Sequence, residues 1–126
     1  MDQVYTYESL YAFTKAVFLK MGCSDVDATT ATTVLVSADL RGIDSHGVAR
    51  LSGYVRLWEV NRINATPNIQ VVHETPSTAV VDGDAGLCLV VAPFAMQIAI
   101  EKAKQVGTGW LSVSIPITLV LQGIMR

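Results

Sequence analysis

Ala38-Asp-Leu-Arg-Gly-Ile-Asp-Ser-His-Gly-Val-Ala-Arg-Leu51 is the stretch on which the reading of this chain turns. It places a serine, one of only two histidines and an arginine between Ser45 and Arg50, where one helical pattern stops and another starts. Upstream, Ala28, Ala31, Leu35 and Ala38 recur at helical spacing and form a narrow face suited to close helix packing. The threonines and valines between them weaken the intrinsic propensity of that helix, so tertiary packing has to hold it. Gly42 is its natural stop. Downstream, the spacing predicts a third helix from about Gly47 to Val60. Ser45 is its candidate N-cap, and Leu51, Tyr54 or Val55, and Trp58 lie on its buried side.

Further toward the N-terminus, Leu10, Phe13, Val17 and Met21 predict the buried face of a first helix. Gly22 follows as a left-handed C-terminal residue, and Ser24 as the next N-cap, with Asp27 favouring that helix start. The texture changes after Asn61. Residues 64–68, Asn-Ala-Thr-Pro-Asn, read as a linker. Ile69–His73 and Thr78–Val81 are β-branched-rich and predict a hairpin, and Asp82-Gly-Asp-Ala-Gly86 predicts a turn. A helix is expected from about Val90 to Val106, with Pro93 in its first turn and Gly107 at its end. Trp110–Val113 begins another strand. The order helix-helix-helix, strand-strand, helix, strand implies an α+β chain: three helices, then the opening of a second, sheet-containing domain.

Bulk composition limits the function classes. Hydrophobic residues are 51% and charged residues 16%, which excludes a disordered chain. The net charge is −2 and no basic run occurs, so neither nucleic acid nor an anionic membrane is an expected partner. Cys23 and Cys88 are isolated thiols without a C-x-x-C pair, which argues against a metal site and for small buried residues. The N-terminus shows no basic and apolar leader pattern, and the apolar run from Ile115 to Met125 is shorter than a spanning helix needs. A cytoplasmic protein is the expectation.

The chemistry concentrates at Ser45, His46 and Arg50. An arginine holds a carboxylate through a planar two-bond fork. His46, one turn earlier, is suited to polarise an oxygen or exchange a proton near neutral pH. Ser45 can donate a hydrogen bond, the helix start favours an anion, and Tyr54 can offer its hydroxyl to the same cleft. The plainer alternative stays open: Ser45 caps, His46 bonds a local carbonyl, and Arg50 is solvated. Asp44, Ser45 and His46 are too close in sequence to line up as a catalytic triad. His73, in a presumed strand, reads as a surface or structural residue. Phe94 and Met96 read as core. The Asp82–Gly86 turn lacks both G-x-G-x-x-G and a Walker lysine.

The 38–51 stretch resembles the signature of the malate/L-lactate dehydrogenase family of non-Rossmann type. Relatives of that family include ureidoglycolate dehydrogenase, sulfolactate dehydrogenase and diketogulonate reductase. The resemblance continues through Tyr54, Arg62-Ile-Asn64, Val80-Val-Asp-Gly-Asp84 and Glu101-Lys-Ala-Lys104 to Gly107-Thr-Gly-Trp110, and so covers residues 5–113. It implies NAD- or NADP-dependent interconversion of a 2-hydroxy acid and a 2-oxo acid by a homodimer. It implies Ser45, His46, Arg50 and Tyr54 as substrate-binding residues, Arg50 on the carboxylate, with His46 in a supporting catalytic role. It also implies a helical domain over residues 1–64 and an incomplete start of a mixed-sheet, non-Rossmann cofactor-binding domain over 65–113.

Residues 114–126 depart from the family. The family pattern continues after Val113 as N-S-N-H-F-G, whose histidine transfers the proton, whereas this chain reads Ser-Ile-Pro-Ile-Thr-Leu. Permitted codons for Ser114–Arg126, read in a shifted frame, spell N-S-N-H-F-G-I-A-G-Y-H-A after the serine. A frameshifted tail and a catalytically inactive chain are therefore expected. The competing expectation is a non-catalytic helical dimerisation or interaction fragment.

Overall fold

A computed structural model describes residues 3–114, so the shifted-frame reading of residues 115–126 lies outside the described residues. Helix α1 spans Tyr7–Lys20 and α2 Asp25–Leu40. Two single 3-10 turns, Asp44–His46 and Val48–Arg50, lead into α3, Leu51–Glu59. Strands β1 (Gln70–Glu74) and β2 (Thr78–Asp82) precede α4 (Cys88–Val106) and β3 (Trp110–Ser114). The architecture is α+β.

Local chemistry sets the helix ends. The Ser24 hydroxyl accepts the Asp27 amide at 3.1 Å, which satisfies one of the donors a helix start leaves open. Gly22 and Gly107 take φ of +98° and +88° behind α1 and α4, a conformation that a Cβ disfavours. Helix α4 begins two residues earlier than predicted, because Leu87 and Cys88 are buried and draw the chain into the helix there. Pro93 consequently falls in the second turn, where its ring removes one intrahelical hydrogen bond.

The predicted face of α1 is only partly the buried one. Thr14, Phe18 and Met21 are buried, whereas Phe13 is 60% exposed. Helix α1 packs on the small-residue face of α2, where Ala28, Ala31 and Leu35 leave room for Phe18. The Leu10–Phe13–Val17 stripe is thereby rotated toward α3. With Val48, Leu51 and Val55 it borders an open apolar cleft of about 480 Å³, the part from Phe13 onward. Phe94 and Met96 are also surface residues rather than core: they lie on the two flanks of the buried Val91–Ala95 stripe of α4.

The sheet order is β1-β2-β3. β1 pairs antiparallel with β2, with an irregularity between Val71 and His73, and β2 pairs parallel with β3 through the α4 crossover. Central β2 alternates, burying Ala79 and Val81. His73 is exposed on β1. Residues 64–68 are tied down rather than slack. Asp84 accepts from the Asn64 side chain at 3.0 Å and from the Asn68 amide at 2.9 Å, and Asn64 forms a bridge to Gly86. One hydrophobic cluster joins Phe18, Leu35 and Leu51 of the helices to Leu87, Cys88 and Leu89 at the start of α4. No helix among the described residues is long and apolar enough to cross a membrane.

Candidate substrate-binding site

The Asp44–Arg50 segment is not the start of a regular helix. Gly42, at φ +72°, breaks α2, and two 3-10 turns carry the chain across to α3. Ser45 therefore does not cap α3; it sits inside the first 3-10 turn, and Arg50 occupies the N-cap position without a side-chain cap. The cap-like contact comes instead from Asp39 in the last turn of α2, whose Oδ2 accepts the Val48 amide at 2.9 Å. An acceptor nine residues upstream leaves no local sequence signal. Ser45 and His46 also lie ahead of the first turn of α3, so its dipole acts on Arg50 more than on them.

Three of the four expected residues are held together. The Ser45 hydroxyl and His46 Nδ1 lie 2.9 Å apart, and Arg50 Nε donates to the Ser45 carbonyl at 2.6 Å. That bond fixes the plane of the guanidinium. Its terminal nitrogens make no hydrogen bond among the described residues, so the edge with two parallel donors stays available to a carboxylate. Ser45, His46 and Arg50 are all exposed. The plainer sequence reading is thus half right: Arg50 is exposed to solvent, but it is Arg50 and not His46 that bonds the local carbonyl, through the one nitrogen that a bidentate carboxylate does not need.

Tyr54, one turn beyond Arg50, is half-buried, and its hydroxyl contacts the Cys88 thiol at 3.6 Å. Burial, then the Cys88 contact, push its ionisation well above the ordinary phenol value, while the Arg50 charge pulls the other way. The hydroxyl is therefore a neutral donor at physiological pH. Cys88 carried no functional signal in sequence. It is buried, as is Cys23, whose thiol is pushed up by burial and then by the Asp27 charge.

The glycine-rich turn does not fit a dinucleotide phosphate. A Cβ on Gly83 would meet the Val91 side chain at 2.9 Å and the Ser114 carbonyl oxygen at 3.0 Å, and one on Gly86 would meet Pro67 at 2.8 Å. These glycines make room for protein atoms rather than for a ligand. The carboxylates of Asp82 and Asp84 at the same turn would further repel an anion.

The sequence profile of the malate/L-lactate dehydrogenase family matches residues 5–115. The chain belongs to that family. Its relatives include an L-sulfolactate dehydrogenase of Methanocaldococcus jannaschii, 46% identical over 74% of this chain and 27% of the relative. A malate dehydrogenase of Pyrococcus abyssi is 43% identical over 84% of this chain and 29% of the relative. The solved sulfolactate dehydrogenase from M. jannaschii superposes with a TM-score of 0.85 at 40% identity, covering 88% of this chain and 32% of that one. The malate dehydrogenase from Pyrococcus horikoshii gives 0.82 at 38% identity, over 89% and 34%. The chain thus spans about a third of the length of the family members it matches, and the fold expected from sequence agrees with theirs.

Proposed function

We propose that this chain is the amino-terminal part of an NAD- or NADP-dependent dehydrogenase of 2-hydroxy acids, of malate/L-lactate type, and that its own contribution is the seat for the acid. The observation that carries the reading is Arg50: its Nε is tied to the Ser45 carbonyl, and its remaining fork is presented at the surface beside His46. Arg50 takes the substrate carboxylate. Ser45 and His46 bond the neighbouring oxygen, with His46 in a supporting catalytic role, and the neutral Tyr54 hydroxyl donates from the next turn. Family membership supports the substrate class, and the names of the relatives, malate and sulfolactate dehydrogenases, support a short acid with a second anionic group.

In this reading residues 1–64 form the helical domain and 65–113 the opening of the cofactor-binding domain, which continues in family sequence beyond Ser114. Residues 115–126 are the shifted-frame remnant, and the working enzyme is a cytoplasmic homodimer. The 126-residue chain then oxidises neither malate nor lactate with NAD or NADP, and turnover by the purified chain would contradict the assignment. The codons for Val113–Arg126 decide the tail. In the frame-restored enzyme, Arg50→Ala removes a charge-assisted pair and should raise the Michaelis constant for the 2-oxo acid by about 10- to 100-fold. An unchanged constant would remove Arg50 from the carboxylate.

A second reading, a non-catalytic interaction fragment, is favoured by the apolar cleft between α1 and α3 with its exposed Phe13. Concentration-independent sedimentation as a monomer would count against it.

A further inference from the structure

We infer that Asp39 is a positioning residue for the acid seat: its carboxylate, delivered from the last turn of α2, sets the path of the 44–50 segment and so the places of His46 and Arg50. The inference rests on the reading of Ser45, His46 and Arg50 as that seat.

Three observations support it. First, Asp39 Oδ2 accepts the Val48 amide at 2.9 Å, at the point where the second 3-10 turn begins. Second, a Cβ placed on Gly47 would collide with the carboxyl carbon and both carboxyl oxygens of Asp39. Gly47 is buried and extended, with φ −91° and ψ −148°, a conformation open to other residues. Its lack of a side chain is therefore required by the approach of the carboxylate and not by the backbone. Third, an acid in the last turn of a helix faces the negative end of the dipole. No salt bridge among the described residues offsets it. A residue placed unfavourably for its own helix, yet bonded to the next segment, is serving that segment.

The geometric chain is short. Asp39 holds Val48; the turn held there leads directly to Arg50; and Arg50 closes back on the Ser45 carbonyl. The carboxylate holds the junction of the two 3-10 turns at Val48, and the guanidinium ties the end of the second turn back to the first. Each turn has only three residues and cannot hold itself.

The test uses the 126-residue chain, isotopically labelled, with L-malate as the probe. Two readouts are followed by NMR: amide exchange at Val48, and the malate response of the His46 ring and Arg50 side chain. Asp39→Ala is expected to speed exchange at Val48 by about tenfold, the loss of one hydrogen bond, while α2 and α4 exchange as in the parent. It is expected to weaken the apparent malate affinity at His46 and Arg50 by about tenfold or more. Asp39→Asn keeps an acceptor of the same shape and should restore both readouts. If Asp39→Ala melts the chain, Gly47→Ala replaces it: the added methyl displaces the carboxylate from Val48 without removing the charge, and the same two changes are expected. Parent-like exchange and parent-like malate binding in Asp39→Ala or Gly47→Ala would overturn the inference, as would failure of Asp39→Asn to restore them. If malate moves no signal even in the parent chain, the acid-seat reading fails on this chain. Exchange at Val48 then decides separately whether Asp39 holds the segment.

Discussion

Leu87 is 2% exposed and belongs to the cluster that also contains Phe18, Leu35 and Leu51. It stands just ahead of α4, so its side chain joins the helical half of the chain to the sheet-bearing half. Leu87→Ala removes three carbons from a site with almost no solvent contact, and the helices on one side and α4 on the other restrict collapse. The expected cost is about 3–5 kcal/mol, the upper part of the range for such truncations. A domain of this size has about 5–15 kcal/mol in total. With a urea slope of about 1.5 kcal/mol/M, the midpoint should fall by about 2–3 M. The assay needs two local probes. Trp58 fluorescence, isolated by Trp110→Phe, reports α3, and amide signals of β2 such as Val81 report the sheet. A shared core requires both probes to move together, with coincident midpoints in the parent and in the variant. If Leu87→Ala lowers the β2 midpoint and leaves Trp58 where it was, the two halves are separate cooperative units. One cluster would then not hold them together.

Two further outcomes follow from local geometry. Ser24→Ala leaves the Asp27 amide without its acceptor and should cost about 1 kcal/mol, read as a lower urea midpoint with an unchanged slope; Ser24→Gly should cost only a few tenths. Tyr54 has a raised ionisation in the folded chain, so its neutral form is favoured there. The sign follows: the associated stability is complete below the unfolded phenol value of about 10 and is lost as pH rises above it. Urea midpoints at pH 9 and pH 11 should diverge more for the parent than for Tyr54→Phe, and equal divergence would mean that burial and Cys88 do not hold the phenol neutral.

Much of the fold was legible because its signals are local. Ser24 bonds an amide three residues away, Gly22 and Gly107 adopt a conformation that other residues avoid, and the β1–β2 hairpin is announced by β-branched runs around a short turn. The candidate site was legible only as a set of residue types, Ser45, His46, Arg50 and Tyr54, and the motif that contains the first three carried the family. The arrangement was not. Ser45 looked like a cap because caps are read from neighbours, whereas the acceptor that serves the segment is Asp39, across a chain reversal. Helical periodicity located the apolar stripe of α1 but not which edge of it meets α2. Phe13 and Phe18 look equally apolar in sequence, and only the small-residue face of α2 selects Phe18. Lys102 is a similar case. It is buried because Glu74 at 3.0 Å and the Thr75 carbonyl at 2.7 Å receive its ammonium, and both lie 27 or more residues away.

By itself, then, the sequence determined the order of the helices and strands, the caps at Ser24, Gly22 and Gly107, the family and the residue types of the proposed acid seat, since each depends on interactions within a few positions or on a contiguous motif. Tertiary structure decided which faces are buried, that two 3-10 turns rather than a helix carry Ser45 to Arg50, and that Cys88 meets Tyr54. Those outcomes depend on where the backbone brings distant groups, and a pattern read along the chain contains no term for that distance.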